Sequence, residues 1–358
     1  MDFHGFRSFE SKPLACFVEF SEGNIPSGKS EVELESKFQF DFIQTSLISN
    51  PCDKKKTDSF RKNTFERPIM IQLALLLGRV IPREVGLKLA TLIGTLKGKN
   101  RQHPKVKAIR ANQWVIHNQS LKDETLDDLP KIVFRSAAKC IFDYFYFLSR
   151  PDKLKETIDF SEEVIVAIER IRKNEPCVIV SPHLSNFDLM GFALSLNNIS
   201  VQVLSFPNPN VSYKLQNQLR ESLGQHVTPM SLSAFRQARK RLQNGGTILT
   251  GLDRPLEGHG ENKYQPLFFG YESNLPVVYV RMAKEANAPV FIMTATSQPG
   301  GRYKLEGSHP IWMETGKNLE SEIRTNANRV LSTAEPIIKK YAHQWAMFYP
   351  IWPQFLGV

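Results

Sequence analysis

The pattern of hydrophobic and polar positions changes character near residue 66. Over residues 32–42 the apolar residues lie at alternate positions with polar residues between them, which is typical of a strand with one polar face. Residues 14–20 are a candidate hairpin partner, and the polar, basic run 49–63 is typical of a linker. We therefore predict an N-terminal β-hairpin-like extension of unknown role over 1–66 and a separate domain over 67–358.

Two strongly apolar helical segments open the second domain, at residues 69–81 and 85–96 within the region 67–100. Each is too short to cross the ~30 Å hydrocarbon core of a bilayer. Basic side chains surround both segments: Arg79, Arg83, Lys88, Lys97, Lys99 and Arg101. Two interpretations remain open, a pair of helices at the membrane interface or a helical hairpin that packs in the core.

The remainder predicts an α/β fold. Residues 106–149 and 153–173 have helical patterns. Short apolar strands are then predicted at 177–181, 201–206, 247–252 and 290–296. Helices are predicted between them, from about residue 187 and at 213–223, 235–242 and 276–285. Strands that alternate with helices indicate a central, mostly parallel sheet covered by helices on both faces.

Composition excludes several classes of protein. With 41% hydrophobic and 23% charged residues the chain is globular, and no run of 18 apolar residues marks a multi-pass membrane protein. Its 4 cysteines are far apart without a CxxC spacing, which argues against a structural metal site and a disulfide framework and favours a reducing compartment. The N-terminus lacks the pattern of a secretory signal.

The charge is concentrated in the second domain. Residues 1–66 carry 9 Lys and Arg against 11 Asp and Glu, which leaves 37 against 25 for residues 67–358. A basic domain attracts anionic carriers, phosphate groups and anionic membrane surfaces. The basic residues are not interleaved with aromatic ones as in nucleic-acid-binding surfaces, so we expect no nucleic-acid partner. The basic helix at 235–242 is either a docking site for a carrier protein or a solvated face.

Residues 23–30 match the GxxxxGK[ST] phosphate-loop pattern. That loop requires a strand before it and a helix after it, whose N-terminal amides hold the phosphate. Here a strand pattern follows. We therefore predict a hairpin turn rather than a nucleotide site.

His183 and Asp188 form the most informative pair. They follow the predicted strand 177–181, and ligands of α/β sheets bind beyond the carboxyl ends of strands. A chain that turns into a helix here can bring Asp188 back onto the imidazole. The carboxylate then orients the ring and leaves its other nitrogen as a base near neutral pH. The alternative is a histidine at a helix start beside an N-terminal acid.

Several ordered blocks of residues 67–353 resemble the bacterial lipid A late-acyltransferase family, which transfers lauroyl or myristoyl groups. This family belongs to the lysophospholipid and glycerolipid acyltransferase superfamily. The blocks are the HxxxxD motif in SPHLSNFDLMG (181–191), QNQLRESLG (216–224), ARKRLQNGGTILTGLDRP (238–255), PLFFG (266–270), RMAKEANAPV (281–290) and QWAMFYPIW (344–352).

The resemblance implies a glycerolipid acyltransferase-like fold and assigns site residues. His183 and Asp188 would be catalytic. The expected substrate-binding residues are Asn186, Arg220, Asp253 and Arg254, with Arg220 the first and Arg254 the second candidate for holding a phosphate. The chain departs from the family at Asp188, where Glu is frequent, and at residues 253–255, where Asp-Arg-Pro replaces Asp-Gln-Asp. The second departure leaves the acceptor class open.

The predicted function is a membrane-associated O-acyltransferase at the cytoplasmic face of the inner membrane. His183 would deprotonate an acceptor hydroxyl of a lipid or glycolipid. The oxygen would then attack an acyl thioester of acyl carrier protein or coenzyme A, with no cofactor and no metal. No GxSxG motif or activated cysteine indicates an acyl-enzyme, since Cys177 lies within an apolar strand. The alternatives are a thioesterase or lipid hydrolase, and a non-catalytic lipid- or carrier-binding protein. The sequence does not determine the oligomeric state.

Overall fold

Short apolar runs, buried on both faces, build the central sheet of the computed structural model. The structure describes residues 68–209, 211–255 and 262–358. Every residue of the strand Cys177–Ser181 is buried, as expected for a parallel strand between two helical layers. The extension predicted over 1–66, including the turn at 23–30, lies outside the described residues.

Helices dominate the N-terminal half of the described chain. They are α1 (Pro68–Val80), α2 (Arg83–Gly98), α3 (Pro104–Ile116), α4 (Asp123–Leu148), α5 (Pro151–Thr157) and α6 (Glu162–Arg172). The helices that follow are α7 (Phe187–Leu196), α8 (Val211–Ser222), α9 (Leu232–Gln243), α10 (Val278–Glu285) and α11 (Leu319–Lys340).

Seven strands form one sheet. They are β1 (Ile158–Phe160), β2 (Cys177–Ser181), β3 (Gln202–Ser205), β4 (His226–Pro229), β5 (Thr247–Gly251), β8 (Val290–Ser297) and β9 (Tyr303–Gly307), and β6 (Leu267–Phe268) and β7 (Tyr271–Glu272) form a separate hairpin. The order is β1-β9-β8-β2-β5-β3-β4, parallel except for β8 with β9. This confirms the predicted α/β class with a mostly parallel sheet flanked by helices.

Two predicted helices are divided in the structure. The helix expected at 153–173 is interrupted by β1, because Ile158–Phe160 pairs in parallel with residues 303–305 of β9. The helix expected at 106–149 consists of α3 and α4, separated at Asn118 and Gln119, whose φ angles of 55° and 60° end the helical path. β1 and its partner β9 lie more than 140 residues apart in the chain. The local hydrophobic pattern therefore does not indicate that β1 is a strand.

A stripe of small residues packs α2 closely against α4. Gly86, Ala90, Gly94 and Gly98 are buried at four-residue spacing, so they occupy one face of the helix. A Cβ atom at Gly94 would lie 2.5 Å from the carbonyl oxygen of Phe134 in α4. The opposite face carries exposed apolar residues: Val85 (54% exposed), Leu89 (44%), Leu92 (56%) and Leu96 (58%).

Arg83 fixes this helical pair to the sheet. Its Nε and Nη2 donate to the two carboxylate oxygens of Asp143 in α4, each at 2.8 Å, and Nη2 also donates to the Gly301 carbonyl. Tyr303 of β9 donates to the same carboxylate at 2.7 Å. The buried Asp143 is therefore fully paired, which a buried charge requires. Throughout the described ranges, every helix is too short or too polar to cross a bilayer.

Candidate active site

The loop that carries His183 is held by backbone hydrogen bonds on both sides. It leaves β2, and the carbonyl of His183 accepts from the amide of Ala346 at 2.8 Å. The amide of Ser185 donates to Gln344 at 2.8 Å, and that of Asn186 donates to Ala295 of β8 at 3.1 Å. Ser185 has a φ of 53°, an uncommon value for a residue with a side chain. The loop thus has a fixed path beyond the carboxyl end of β2.

Asp253 is the carboxylate that contacts His183. It follows the neighbouring strand β5 and is fully buried. Its Oδ1 lies 2.6 Å from Nδ1 of the imidazole, and both carboxylate oxygens lie 3.0 Å from the backbone N of His183. The indole Nε1 of Trp345 donates to Oδ2 at 2.7 Å. These donors compensate the charge of a carboxylate that has no exposure to solvent.

This geometry determines the chemistry of the ring. An ionised carboxylate only accepts hydrogen bonds, so beside it a neutral imidazole has its proton on Nδ1 and its lone pair on Nε2. The His183 side chain is 25% exposed, so a substrate can reach the ring. The ring also packs edge-on against Phe187, with centroids 5.1 Å apart. The His183–Asp253 pair is therefore arranged as a general base with its orienting acid.

Asp188 has a different environment from the one expected. Its Oδ1 accepts from Nε of Arg220 at 2.8 Å, with Nη2 of Arg220 at 2.7 Å, and its Oδ2 accepts from Gln216 at 2.9 Å. The reason is local, because Asn186 caps α7 and so places Asp188 in the first helical turn, directed toward α8. The structure thus corrects the predicted contact of Asp188 with His183, and Asp188 joins α7 to α8.

Arg220 is buried, and each of its three guanidinium nitrogens has a partner within the protein. Besides Asp188, its Nη1 donates to Asn217 at 2.9 Å, and its guanidinium lies over the ring of Tyr213. Burial opposes the charged form, but the Asp188 carboxylate outweighs it and raises the pKa of Arg220 above its ordinary value. The guanidinium that we predict to bind a phosphate is therefore directed at Asp188.

Asn186 also has internal partners. Its Oδ1 accepts from the amide of Leu189 at 3.2 Å, and its Nδ2 donates to the carbonyl of Cys140 in α4 at 2.8 Å. The side chain is buried. Asn186 therefore caps α7 and links it to α4. Its contact with substrate stays a prediction.

Arg254 lies beside the pair, between two aromatic rings. Its guanidinium carbon is 4.1 Å from the ring centre of Phe206 and 4.3 Å from that of Tyr349, and Nη2 donates to the Tyr349 hydroxyl at 3.0 Å. Phe206 directly follows β3, so Arg254 lies at the same edge of the sheet as His183. Of the four predicted substrate-binding residues, only Asp253 directly contacts His183, and Arg254 follows it in the chain.

The buried thiols do not resemble nucleophiles. Burial raises the pKa of Cys177 to about 11 and that of Cys140 to about 11. Both thiols therefore stay protonated near neutral pH, and a thiol is a much weaker nucleophile than a thiolate. Cys177 faces Thr247 of β5 and Cys140 faces Ser185, each within the core.

Sequence reasoning missed the role of the C-terminal segment 344–352. Trp345 contacts Asp253, Gln344 and Ala346 hold the His183 loop, and Tyr349 contacts Arg254. In the sequence, only the resemblance of QWAMFYPIW (344–352) to a block of the family singles this segment out. Local periodicity gave no indication that it returns to a loop more than 150 residues earlier.

The comparisons with known proteins identify the family of the chain. The family described as bacterial lipid A biosynthesis acyltransferase matches residues 61–354, most of the chain. A search of curated proteins found no significant match. The matched range contains His183, Asp253 and the C-terminal segment that holds them. The chain therefore belongs to the bacterial lipid A biosynthesis acyltransferase family and is an acyltransferase.

Proposed function

We propose that the protein transfers a fatty acyl group from a thioester of acyl carrier protein or coenzyme A to a hydroxyl of a lipid or glycolipid acceptor. The observation that supports this most directly is the 2.6 Å contact between Nδ1 of His183 and Asp253. This contact leaves Nε2 of the imidazole as an accessible base beyond the carboxyl end of β2. The family match favours lipid A or a precursor as acceptor.

The proposed step needs only these residues and the two substrates. Nε2 of His183 takes the proton of the acceptor hydroxyl as the oxygen attacks the thioester carbonyl. The C–S bond then breaks, and the leaving thiolate takes the proton from the imidazolium. Asp253 stabilises the imidazolium while it exists. Because the thiols of Cys140 and Cys177 stay protonated, we propose direct attack without an acyl-enzyme.

We further propose that α1 and α2 rest on a membrane surface. Their exposed apolar residues occupy one face of each helix, at positions 73, 76 and 80 in α1 and 85, 89, 92 and 96 in α2. Arg79, Lys88, Lys97 and Lys99 are exposed beside these residues. An apolar face with basic flanks is typical of helices that lie in the interface of an anionic leaflet. We propose the cytoplasmic face of the inner membrane as the location.

The central experiment is a mass-spectrometric transfer assay. Purified protein receives acyl carrier protein or coenzyme A thioesters together with lysophospholipids, glycolipids or lipid A precursors. We expect an acylated acceptor from the wild type and, for His183→Ala, a loss of kcat of at least about 100-fold, since general-base catalysis contributes that much. An acylated acceptor formed equally fast by His183→Ala would refute the assignment.

The same assay separates the alternatives. Free fatty acid as the sole product, lost in His183→Ala, would identify a thioesterase or lipid hydrolase. Binding of substrate without any product would identify a lipid- or carrier-binding protein. A His343→Ala variant is the matched control, because His343 is an exposed histidine next to the C-terminal segment and makes no contact with Asp253 within the described residues.

A further inference from the structure

The guanidinium of Arg254 is held in place while most of its hydrogen-bonding capacity is unused. Phe206 and Tyr349 stack on it at 4.1 and 4.3 Å, and its Nη2 donates to the hydroxyl of Tyr349. This is its one hydrogen bond to any part of the chain that the structure describes. Its Nε is buried and has no partner. A guanidinium has five N–H donors; one on Nη2 is used and the one on Nε is buried, so the three others, on Nη1 and Nη2, are left for a ligand.

In the part of the chain that the structure describes, no carboxylate lies within ion-pair distance of Arg254, whereas Arg220 is paired with Asp188. The adjacent carboxylate, Asp253, is directed at His183 and Trp345. An arginine that is partly buried, has no counter-ion among the described residues and is ordered by two rings is preorganised for an anion.

We propose that Arg254 binds a phosphate group of a substrate at the rim of the active site. Its planar fork fits two phosphate oxygens, and the flanking rings limit its rotation, so little entropy is lost on binding. The inference rests on the proposed acyl transfer only for the identity of the substrates. It also assigns a role to the position where the chain departs from the family's Asp-Gln-Asp pattern.

Two substrates can supply this phosphate. Acyl carrier protein and coenzyme A both carry a phosphopantetheine arm, and a lipid A-type acceptor carries a sugar phosphate. Both would place an anion near His183 when the thioester carbonyl and the acceptor hydroxyl meet there. The shared chemistry is a phosphate ester, and the experiment distinguishes the two sources.

The test measures binding rather than turnover, so that it succeeds or fails independently of the proposed activity. Calorimetric titrations compare 4′-phosphopantetheine with pantetheine, and N-acetylglucosamine 1-phosphate with N-acetylglucosamine. We expect the wild type to prefer one phosphorylated probe over its phosphate-free partner by about 10-fold or more. Arg254→Gln, which creates the family's residue, should abolish that preference and leave the affinity for the phosphate-free probe unchanged.

Two further variants sharpen the result. Arg254→Lys keeps the charge but loses the planar fork, and we expect it to retain only part of the preference. Arg172→Gln removes an exposed arginine at the end of α6 and should behave as wild type. Circular dichroism and thermal unfolding confirm that each variant is folded.

The pair of probes that responds identifies the source of the phosphate. The proposal is overturned if the wild type shows no preference for either phosphorylated probe. It is equally overturned if Arg254→Gln binds them as the wild type does. A protein that shows the Arg254-dependent preference but no acyl transfer would refute the proposed function and leave this inference standing.

Discussion

At the scale of single residues, the two carboxylates of the site have separate tasks. Asp253 accepts hydrogen bonds from His183 and Trp345, whereas Asp188 neutralises the buried guanidinium of Arg220. Both are buried or nearly so, with 0% and 14% side-chain exposure. Their contacts therefore predict different consequences for isosteric substitutions.

Asp253→Asn should lower kcat by about 10²–10⁴-fold with a small change in stability. The amide cannot stabilise the imidazolium and favours the wrong tautomer of His183. Steady-state kinetics together with urea unfolding measure the two effects. Unchanged kcat in Asp253→Asn would remove Asp253 from the catalytic pair.

Asp188→Asn should mainly destabilise the fold. It leaves the buried Arg220 without its counter-charge, and breaking a buried ion pair costs about 3–5 kcal/mol. Urea unfolding is the appropriate measurement. A large loss of kcat at unchanged stability would instead place Asp188 in the chemistry, as the HxxxxD pattern alone suggested.

Among the secondary-structure elements, the strands that are short apolar runs could be predicted. The strands that depend on pairing with a distant segment of the chain could not. β2, β5 and β8 are apolar runs whose predicted positions are confirmed within one residue or so. β1 was predicted as part of a helix, and β4, β9 and α11 were not predicted. β1 and β9 are short and depend on pairing with distant segments, β1 with β9 and β9 also with β8, so neither has a clear local signal.

The helices α1 and α2 each have a packed face and an exposed face. Their small residues pack on α4, as a core hairpin requires, while several of their leucines are exposed. The packed face of α2 therefore supports the core-hairpin interpretation, and contact of its exposed face with a membrane stays a prediction. Helical periodicity alone could not show which face contacts α4.

The double variant Leu89→Glu, Leu92→Glu should weaken association with phosphatidylglycerol-containing vesicles by at least about 10-fold. Each leucine that enters the interface contributes up to about 1.5–3 kcal/mol, and the glutamates add repulsion from the anionic lipid. Vesicle flotation measures the effect. Ile165→Glu, Val166→Glu is the matched control, because these residues of α6 are similarly exposed at 45% each. Equal loss in both double variants would contradict the proposed orientation.

At the scale of the whole molecule, the C-terminal segment completes the site. Trp345 and Trp352 are both buried and both lie against Phe268, but only the indole of Trp345 reaches Asp253. The Nε1 of Trp352 is buried and has no hydrogen-bond partner among the described residues. The two tryptophans therefore provide a matched comparison between packing and positioning.

Trp345→Phe should lower kcat by about 10-fold or more, because a hydrogen bond to a charged group is worth about 1.5–3 kcal/mol. Trp352→Phe removes an unpartnered donor and should leave kcat close to wild type, with a similar loss of packing. Comparison of kcat, KM and thermal unfolding separates the effects. Equal kcat in the two variants would show that Trp345 acts through packing alone.

The fold class, the position of His183 beyond a buried strand and the family could all be predicted from the amino-acid sequence. Apolar periodicity and the order of short motifs are local properties, so they can be detected without the structure. Which carboxylate contacts His183 became apparent only in the folded chain. The partner is Asp253, 70 residues away on the adjacent strand, because β2 and β5 pair in parallel and end together. Parallel pairing brings distant segments to one edge of the sheet, and no local spacing encodes that neighbour.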